Sequence, residues 1–139
     1  GVGGTYFLHS NNWNWIIILP ALAVGFLSTG VLNVNNMRDI QSDKEAGKST
    51  LVVKMGLRAA KVYHYLLIAL AMVALLIFVL LNHWILYNLL FVLAVPLLLM
   101  HINSINKAQK AADFDPQLKK LSLSTLLTVL LFGIGLIIH

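Results

Sequence analysis

Four long apolar runs set the pattern of the chain, at residues 16–34, 62–81, 84–102 and 121–138. A helix of ~20 residues crosses the ~30 Å hydrocarbon core of a bilayer, so each run predicts a membrane-spanning helix. Polar stretches at 35–61 and 103–120 separate the first run from the second and the third from the fourth. Asn82-His83, between the second and third, leaves room only for a tight turn. In the first run Pro20 lies near the start, where a helix tolerates it. Gly25, Ser28 and Gly30 are small residues suited to close helix packing. Pro96 predicts a kink in the third run. Trp13 and Trp15 precede the first run, as tryptophans do at a membrane–water interface. The fold class expected is all-α, a polytopic transmembrane helical bundle.

Composition strengthens that expectation. The chain is 59% hydrophobic and 11% charged, against roughly 25% charged in a soluble domain. A core of this size cannot hide so much apolar surface from water. Without cysteine, disulfides and thiolate metal sites are excluded. The net charge of +5 is explained by position. Arg38, Lys44, Lys48, Lys54, Arg58 and Lys61 fall between the first two runs, and Lys107, Lys110, Lys119 and Lys120 between the last two. That distribution predicts both polar loops on the cytoplasmic side of the inner membrane and both termini opposite. Nucleic acid is not needed to account for it. Residues 51–61 read as amphipathic and basic. The chain starts at Gly1 without a signal-peptide pattern, which suggests a processed chain or part of a larger one.

Candidate chemistry concentrates in residues 35–50, which hold Asp39, Asp43 and Glu45 among the chain's five acidic residues. Asp39 and Asp43 are four apart, so on a helix they share a face with Asn36, and their like charges repel. Two readings remain open on spacing alone. One is a pair of hard oxygen ligands for Mg²⁺ bridging to substrate phosphates, with Arg38, Lys44 and Lys48 as phosphate contacts. The other is a solvated loop that ends a helix and fixes topology. Gly47-Lys48-Ser49 resembles the end of a nucleotide-binding loop, but Ser42 stands where glycine is required and no strand precedes, so that motif is excluded. Asp115-Pro116 predicts a helix N-cap followed by proline at the first helical position, with Asp113 a loop carboxylate. The histidines show no metal-ligand spacing. His64, His83 and His101 are read as interfacial residues near span ends. Asn103 and Asn106, at the polar end of the third run, either cap a helix or polarise a substrate.

The wording Asn35-Asn36-Met37-Arg38-Asp39, then Asp43, then Gly47-Lys48-Ser49-Thr50-Leu51 resembles the second aspartate-rich motif of the UbiA-type intramembrane prenyltransferases. Its pattern NNxRDxxxDxxxGKxTL is similar to that of the menaquinone-pathway branch, and Gly4-Thr5-Tyr6 resembles the segment before the family's sixth helix. The resemblance implies a nine-helix fold of which these four spans match helices six to nine. It implies a reaction in which a polyprenyl diphosphate, held through Mg²⁺, alkylates 1,4-dihydroxy-2-naphthoate with loss of the carboxylate to give demethylmenaquinone. By motif match Asp39 and Asp43 would be Mg²⁺–diphosphate ligands, and Asn36, Arg38 and Lys48 polar partners of the diphosphate or the loop. The family's first aspartate-rich motif has no counterpart here. The expectation is therefore a C-terminal half, inactive alone, whose N-terminal half lies elsewhere. A sister enzyme with a 4-hydroxybenzoate or tetrapyrrole acceptor, and a non-catalytic membrane subunit, are the alternatives.

Overall fold

The computed structural model describes residues 2–12, 14–82 and 89–138. Among them every regular element is helical: α1 (Val2–Ser10), α2 (Ile18–Arg38), α3 (Ile40–Glu45), α4 (Leu51–Leu81), α5 (Val95–Lys107) and α6 (Ala111–Ile138). Short 3₁₀ turns at Trp15–Ile17 and Leu89–Ala94 lead into α2 and α5. Four stretches are long and apolar enough to cross a membrane: Trp15–Arg38, Leu51–Leu81, Leu89–Lys107 and Ala111–Ile138. The chain is a multi-pass membrane helical bundle. Trp13, His83 and the start of the third run at Trp84 lie outside the described residues.

The polar stretches at 35–61 and 103–120 are shorter as loops than their composition suggested. Charged residues do not break a helix whose backbone bonds are satisfied, so the helices run on past the apolar positions. Only Asp39 and residues 46–50 stand outside helices between α2 and α4, and only 108–110 between α5 and α6. α4 starts at Leu51 because the Thr50 hydroxyl accepts the Val53 amide at 3.3 Å, an N-cap bond. The basic segment then meets Gly56, whose φ of 78° and ψ of 162° break the helical path before the span proper. That conformation is essentially restricted to glycine.

The expected N-cap at Asp115 is corrected. α6 begins at Ala111, and the Asp113 carboxylate reaches back to accept the amides of Gln109 (2.8 Å) and Lys110 (2.9 Å). This is the reciprocal half of a capping box, with the carboxylate at the third helical position. Pro116 consequently sits inside the helix. Pro96 occupies the first turn of α5, where its missing amide costs nothing, so it opens a helix instead of kinking one.

Two buried clusters hold the bundle. Towards the polar end, Val34 and Met37 of α2 pack with Val52, Ala60, Ile68, Ile105, Phe114 and Leu121. Towards the other end, Ala23 and Leu27 pack with Ala71, Leu75, Phe78, Phe91 and Phe132. Phe132 meets Phe78 and Phe91 edge to face, with ring centres 5.4 and 6.2 Å apart, a favoured aromatic geometry. Buried Asn33 donates from Nδ2 to the Ala60 carbonyl at 3.0 Å, tying α2 to α4. Outside, Leu66, Leu70, Val73, Ile77 and Leu80 of α4 form an exposed apolar stripe at helical spacing, a surface suited to lipid and not to water. Of the small residues on α2, Gly30 is packed against His64 and Leu121, whereas a Cβ at Gly25 would meet no described atom within 4 Å.

The reading of His64 and His101 as interfacial is also corrected. They are 0% and 1% exposed and face one another across α4 and α5, Nε2 to Nε2 at 2.9 Å. At that distance one ring donates and the other accepts, so each satisfies a group that lipid could not.

Candidate functional site

The fold gathers the charged residues at one end of the bundle. Arg38, closing α2, reaches Asp115 near the start of α6, Nη1 to Oδ1 at 3.5 Å. Lys61 of α4 donates to the carbonyls of Asn106 (3.0 Å) and Ala108 (2.5 Å) at the end of α5. A cation there complements the negative end of the helix dipole. The two polar connections therefore share one side, as the distribution of Lys and Arg required.

Asp39 sits at the break between α2 and α3, with φ −92° and ψ 7°. It continues the hydrogen-bonded path: its amide donates to the Asn35 carbonyl (3.0 Å), and its carbonyl accepts the Asp43 amide (2.8 Å). Asp39 and Asp43 are thus one helical turn apart, as their spacing predicted. Each carboxylate already has a cation. Arg38 grips Asp39 with two parallel bonds, Nε to Oδ1 at 2.7 Å and Nη2 to Oδ2 at 2.9 Å. Such a fork is a strong charge-assisted geometry. It holds the Asp39 carboxyl below the usual carboxylate range, against a smaller opposing effect of burial. Asp43 is only 6% exposed and receives the Lys48 ammonium, Nζ to Oδ1 at 3.0 Å.

Local sequence explains how Lys48 arrives there. α3 ends in a Schellman motif. Gly47 adopts φ +69°, its amide donates to the Lys44 carbonyl (3.2 Å), and the Lys48 amide returns to the Asp43 carbonyl (2.8 Å). The glycine turns the chain back on itself, and the next residue lands over the residue five before it. The spacing from Asp43 to Gly47-Lys48 is therefore a helix stop that also builds an ion pair.

The sequence-derived site residues separate into those brought together and those not. Asp39, Asp43, Arg38 and Lys48 form one cluster. Asn36 is half-buried in the last turn of α2 and its side chain hydrogen-bonds to no described residue, while its neighbour Asn35 lies against Asp39, Nδ2 to Oδ2 at 3.4 Å. Lys44 is exposed and forms no ion pair with any described residue. Asp115 was read as a cap, and its place beside Arg38 carries no signal in the local sequence. Among the described residues no three His, Cys, Asp or Glu side chains form a metal cluster. The donor chemistry of Asp39 and Asp43 nevertheless fits Mg²⁺, which uses one or two carboxylates and completes its shell with water and substrate phosphate.

Comparison with known proteins adds the lineage. The model of the UbiA prenyltransferase family matches residues 1–123. The chain is 42% identical over 138 residues to the 1,4-dihydroxy-2-naphthoate octaprenyltransferase of Haemophilus influenzae, covering 99% of this chain and 45% of that protein. It is 40% identical over 135 residues to the protein of the same name in Escherichia coli, covering 97% and 44%. The corresponding Mycobacterium tuberculosis protein is 30% identical over 127 residues, covering 91% and 42%. The chain thus spans a little under half the length of the curated relatives it matches. No solved structure matches it. With the aspartate cluster, the four spans and a match over most of its length in agreement, the chain belongs to the UbiA prenyltransferase family.

Proposed function

We propose that the protein containing this chain transfers a polyprenyl group from polyprenyl diphosphate to 1,4-dihydroxy-2-naphthoate, with loss of the ring carboxylate as CO₂, giving demethylmenaquinone. The observation that carries the reading is the cluster of Asp39, Arg38, Asp43 and Lys48, two carboxylates one turn apart with two cations in contact. It lies in a chain whose relatives are named for that transfer.

Asp39 and Asp43 would hold Mg²⁺, which, when bound, supplies positive charge against the leaving diphosphate. The chain's own groups do the rest. Arg38 and Lys48 hold the two carboxylates in place before substrate arrives. Both side chains sit at the surface, Arg38 30% and Lys48 66% exposed, so they can turn from carboxylate to phosphate oxygen. In that position they stabilise negative charge as the allylic carbon–oxygen bond breaks and its electron pair leaves with the diphosphate. Asn35 offers an amide beside the Asp39 carboxylate, and Asn36 would supply a second from the last turn of α2. The apolar spans exclude water from an allylic cation that water would otherwise capture. The membrane is the inner one, with the charged end cytoplasmic. A second acidic pair comes from outside this chain, because the three remaining acids are engaged singly: Asp113 caps α6, Glu45 accepts from Gln41 at 2.7 Å, and Asp115 lies against the far side of Arg38 at 3.5 Å.

The test is product formation in membranes supplied with Mg²⁺, a polyprenyl diphosphate and either 1,4-dihydroxy-2-naphthoate or 4-hydroxybenzoate. Asp39→Ala and Asp43→Ala should each lower transfer to the naphthoate at least about a hundredfold, equivalent to ~3 kcal/mol in the transition state. Near-normal transfer by either variant, or preference for 4-hydroxybenzoate, would refute the proposal.

A further inference from the structure

Both oxygens of Asp39 are taken by one guanidinium, Oδ1 by Nε and Oδ2 by Nη2. Each oxygen keeps a second lone pair. A divalent cation bound there would nevertheless face the guanidinium across a single carboxylate, where like charges repel more strongly than in bulk water. For Asp39 to hold a metal, Arg38 has to give way. The fork leaves Nη1 free of Asp39, and Nη1 points at Asp115 Oδ1, 3.5 Å away. A charge-assisted bond of this kind closes at about 2.7–2.9 Å, so less than ~1 Å of travel completes the contact. Asp115 is 63% exposed and its side chain bonds to no other described residue. The other acids have no such capacity. Asp43 holds Lys48, Asp113 accepts two backbone amides, and Glu45 accepts from Gln41.

We propose that Asp115 is a positioning residue that takes the Arg38 guanidinium over from Asp39 when a divalent cation loads the cluster. The inference rests on the reading of Asp39 as a metal ligand given above. The exchange replaces a side-on fork through Nε and Nη2 with an end-on fork through Nη1 and Nη2. Nη2 belongs to both, so the planar group pivots without leaving the site. The charges favour it. Three carboxylates (Asp39, Asp43 and Asp115) stand against two cations (Arg38 and Lys48), which leaves one surplus negative charge to attract a metal. Once the metal is held, Asp115 offsets the charge of a guanidinium that repulsion would otherwise drive into solvent. Arg38 then stays one side chain away from the metal, where a diphosphate oxygen can reach it. A weak contact suits this task. An exposed pair adds little to the stability of the fold, so it can form and dissolve at each loading. The start of α6, outside the motif of residues 35–51, thereby takes part in filling the cluster.

The experiment uses the protein at its full natural length in phosphatidylcholine nanodiscs. The probe is Mn²⁺ alone, a hard cation with the same preference for oxygen ligands as Mg²⁺, followed by electron paramagnetic resonance. The Mn²⁺ lost in Asp39→Asn defines the portion bound at this cluster. For that portion Asp115→Asn should weaken binding about fivefold, and Asp115→Glu should stay within about twofold of wild type. Arg38→Gln, which frees Asp39, should bind more tightly than wild type. The double variant decides the matter. In the Arg38→Gln background no guanidinium remains to be received, so adding Asp115→Asn should change nothing, and the Arg38→Met background should behave alike. Without added metal, Asp115→Asn should melt at the wild-type temperature. Wild-type affinity in Asp115→Asn would overturn the proposal. So would a fivefold loss that persists in the Arg38→Gln background, because Asp115 would then be a ligand itself or a distant charge. A lower melting temperature with unchanged affinity would show a merely structural contact and overturn it as well. Mn²⁺ binding that is indifferent to Asp39→Asn would remove the ligand on which the exchange depends. Coupling of Asp115 to Arg38 without any prenyl transfer would defeat the proposed reaction and leave the exchange standing. Transfer without that coupling would do the reverse.

Discussion

Gly47 provides a clean test of how the aspartate cluster is assembled. Its φ of +69° lies in the left-handed region, and a Cβ placed there would meet nothing within 4 Å. Any effect of substitution must therefore come from backbone conformation and not from a clash. A β-branched residue in that region costs about 2 kcal/mol, whereas asparagine visits it readily. At 1.4 kcal/mol per tenfold, Gly47→Val should depopulate the Schellman turn by roughly thirtyfold relative to wild type. The Lys48 amide, which donates to the Asp43 carbonyl at 2.8 Å, should then exchange with solvent deuterium faster by a similar factor. Because the same turn sets Lys48 over Asp43, diphosphate binding should weaken in parallel. Gly47→Asn should stay within a few-fold of wild type on both measures. Unchanged exchange in the valine variant, or asparagine as damaging as valine, would show that the turn does not place Lys48.

Gly56→Ala should destabilise by about 1–3 kcal/mol in denaturant titration, since φ 78° and ψ 162° strain any side chain. Gly25→Ala, helical and open to its surroundings, should be neutral or stabilising by up to ~1 kcal/mol. Asp39 has its carboxyl held low by Arg38, so it favours the folded state above the ordinary carboxylate pKa. That contribution fades only as the pH falls through the lowered value. Melting temperature should therefore be level from pH 7 to 5 and fall below the ordinary carboxylate range, and in Arg38→Met, where the folded and unfolded values converge, that acid-side fall should be smaller; an equal fall would deny the pair a role. Cysteines at Ser42 and Ala111 should label from the same face of the membrane, and labelling from opposite faces would break the topology. The 139-residue chain alone should insert yet form no prenylated product, and sustained turnover by it would overturn the proposal that a second acidic pair comes from outside.

What the sequence made legible was what depends on period and spacing. Apolar runs long enough to cross a bilayer, and the ten basic residues gathered between them, gave four spans with both charged connections at one end. The one-turn relation of Asp39 and Asp43 followed from their spacing alone. Helix ends were less accessible, because caps can compete. Asp113 and Asp115 are both able to start α6, and the one that can reach back to two free amides prevails even though it leaves proline inside the helix. Gly47 looked like a remnant of a phosphate loop, when its task is to end a six-residue helix.

Partnerships between distant segments were not legible. His64 and His101 are 37 residues apart and each, taken singly, resembles a residue at the lipid interface. Only the crossing of α4 over α5 turns them into a pair, and inside a bilayer that pairing is what makes two buried imidazoles tolerable. Arg38 presents the same difficulty in a charged setting. Next to Asp39 in sequence, it could have pointed to solvent like Lys44. The fold instead brings Asp115 to its far side, 77 residues away, so the guanidinium stands between two carboxylates. The contact to Asp115 is long and exposed and contributes little to stability. Its value is positional: it keeps the cation at the mouth of the cluster, on the side where the last span begins.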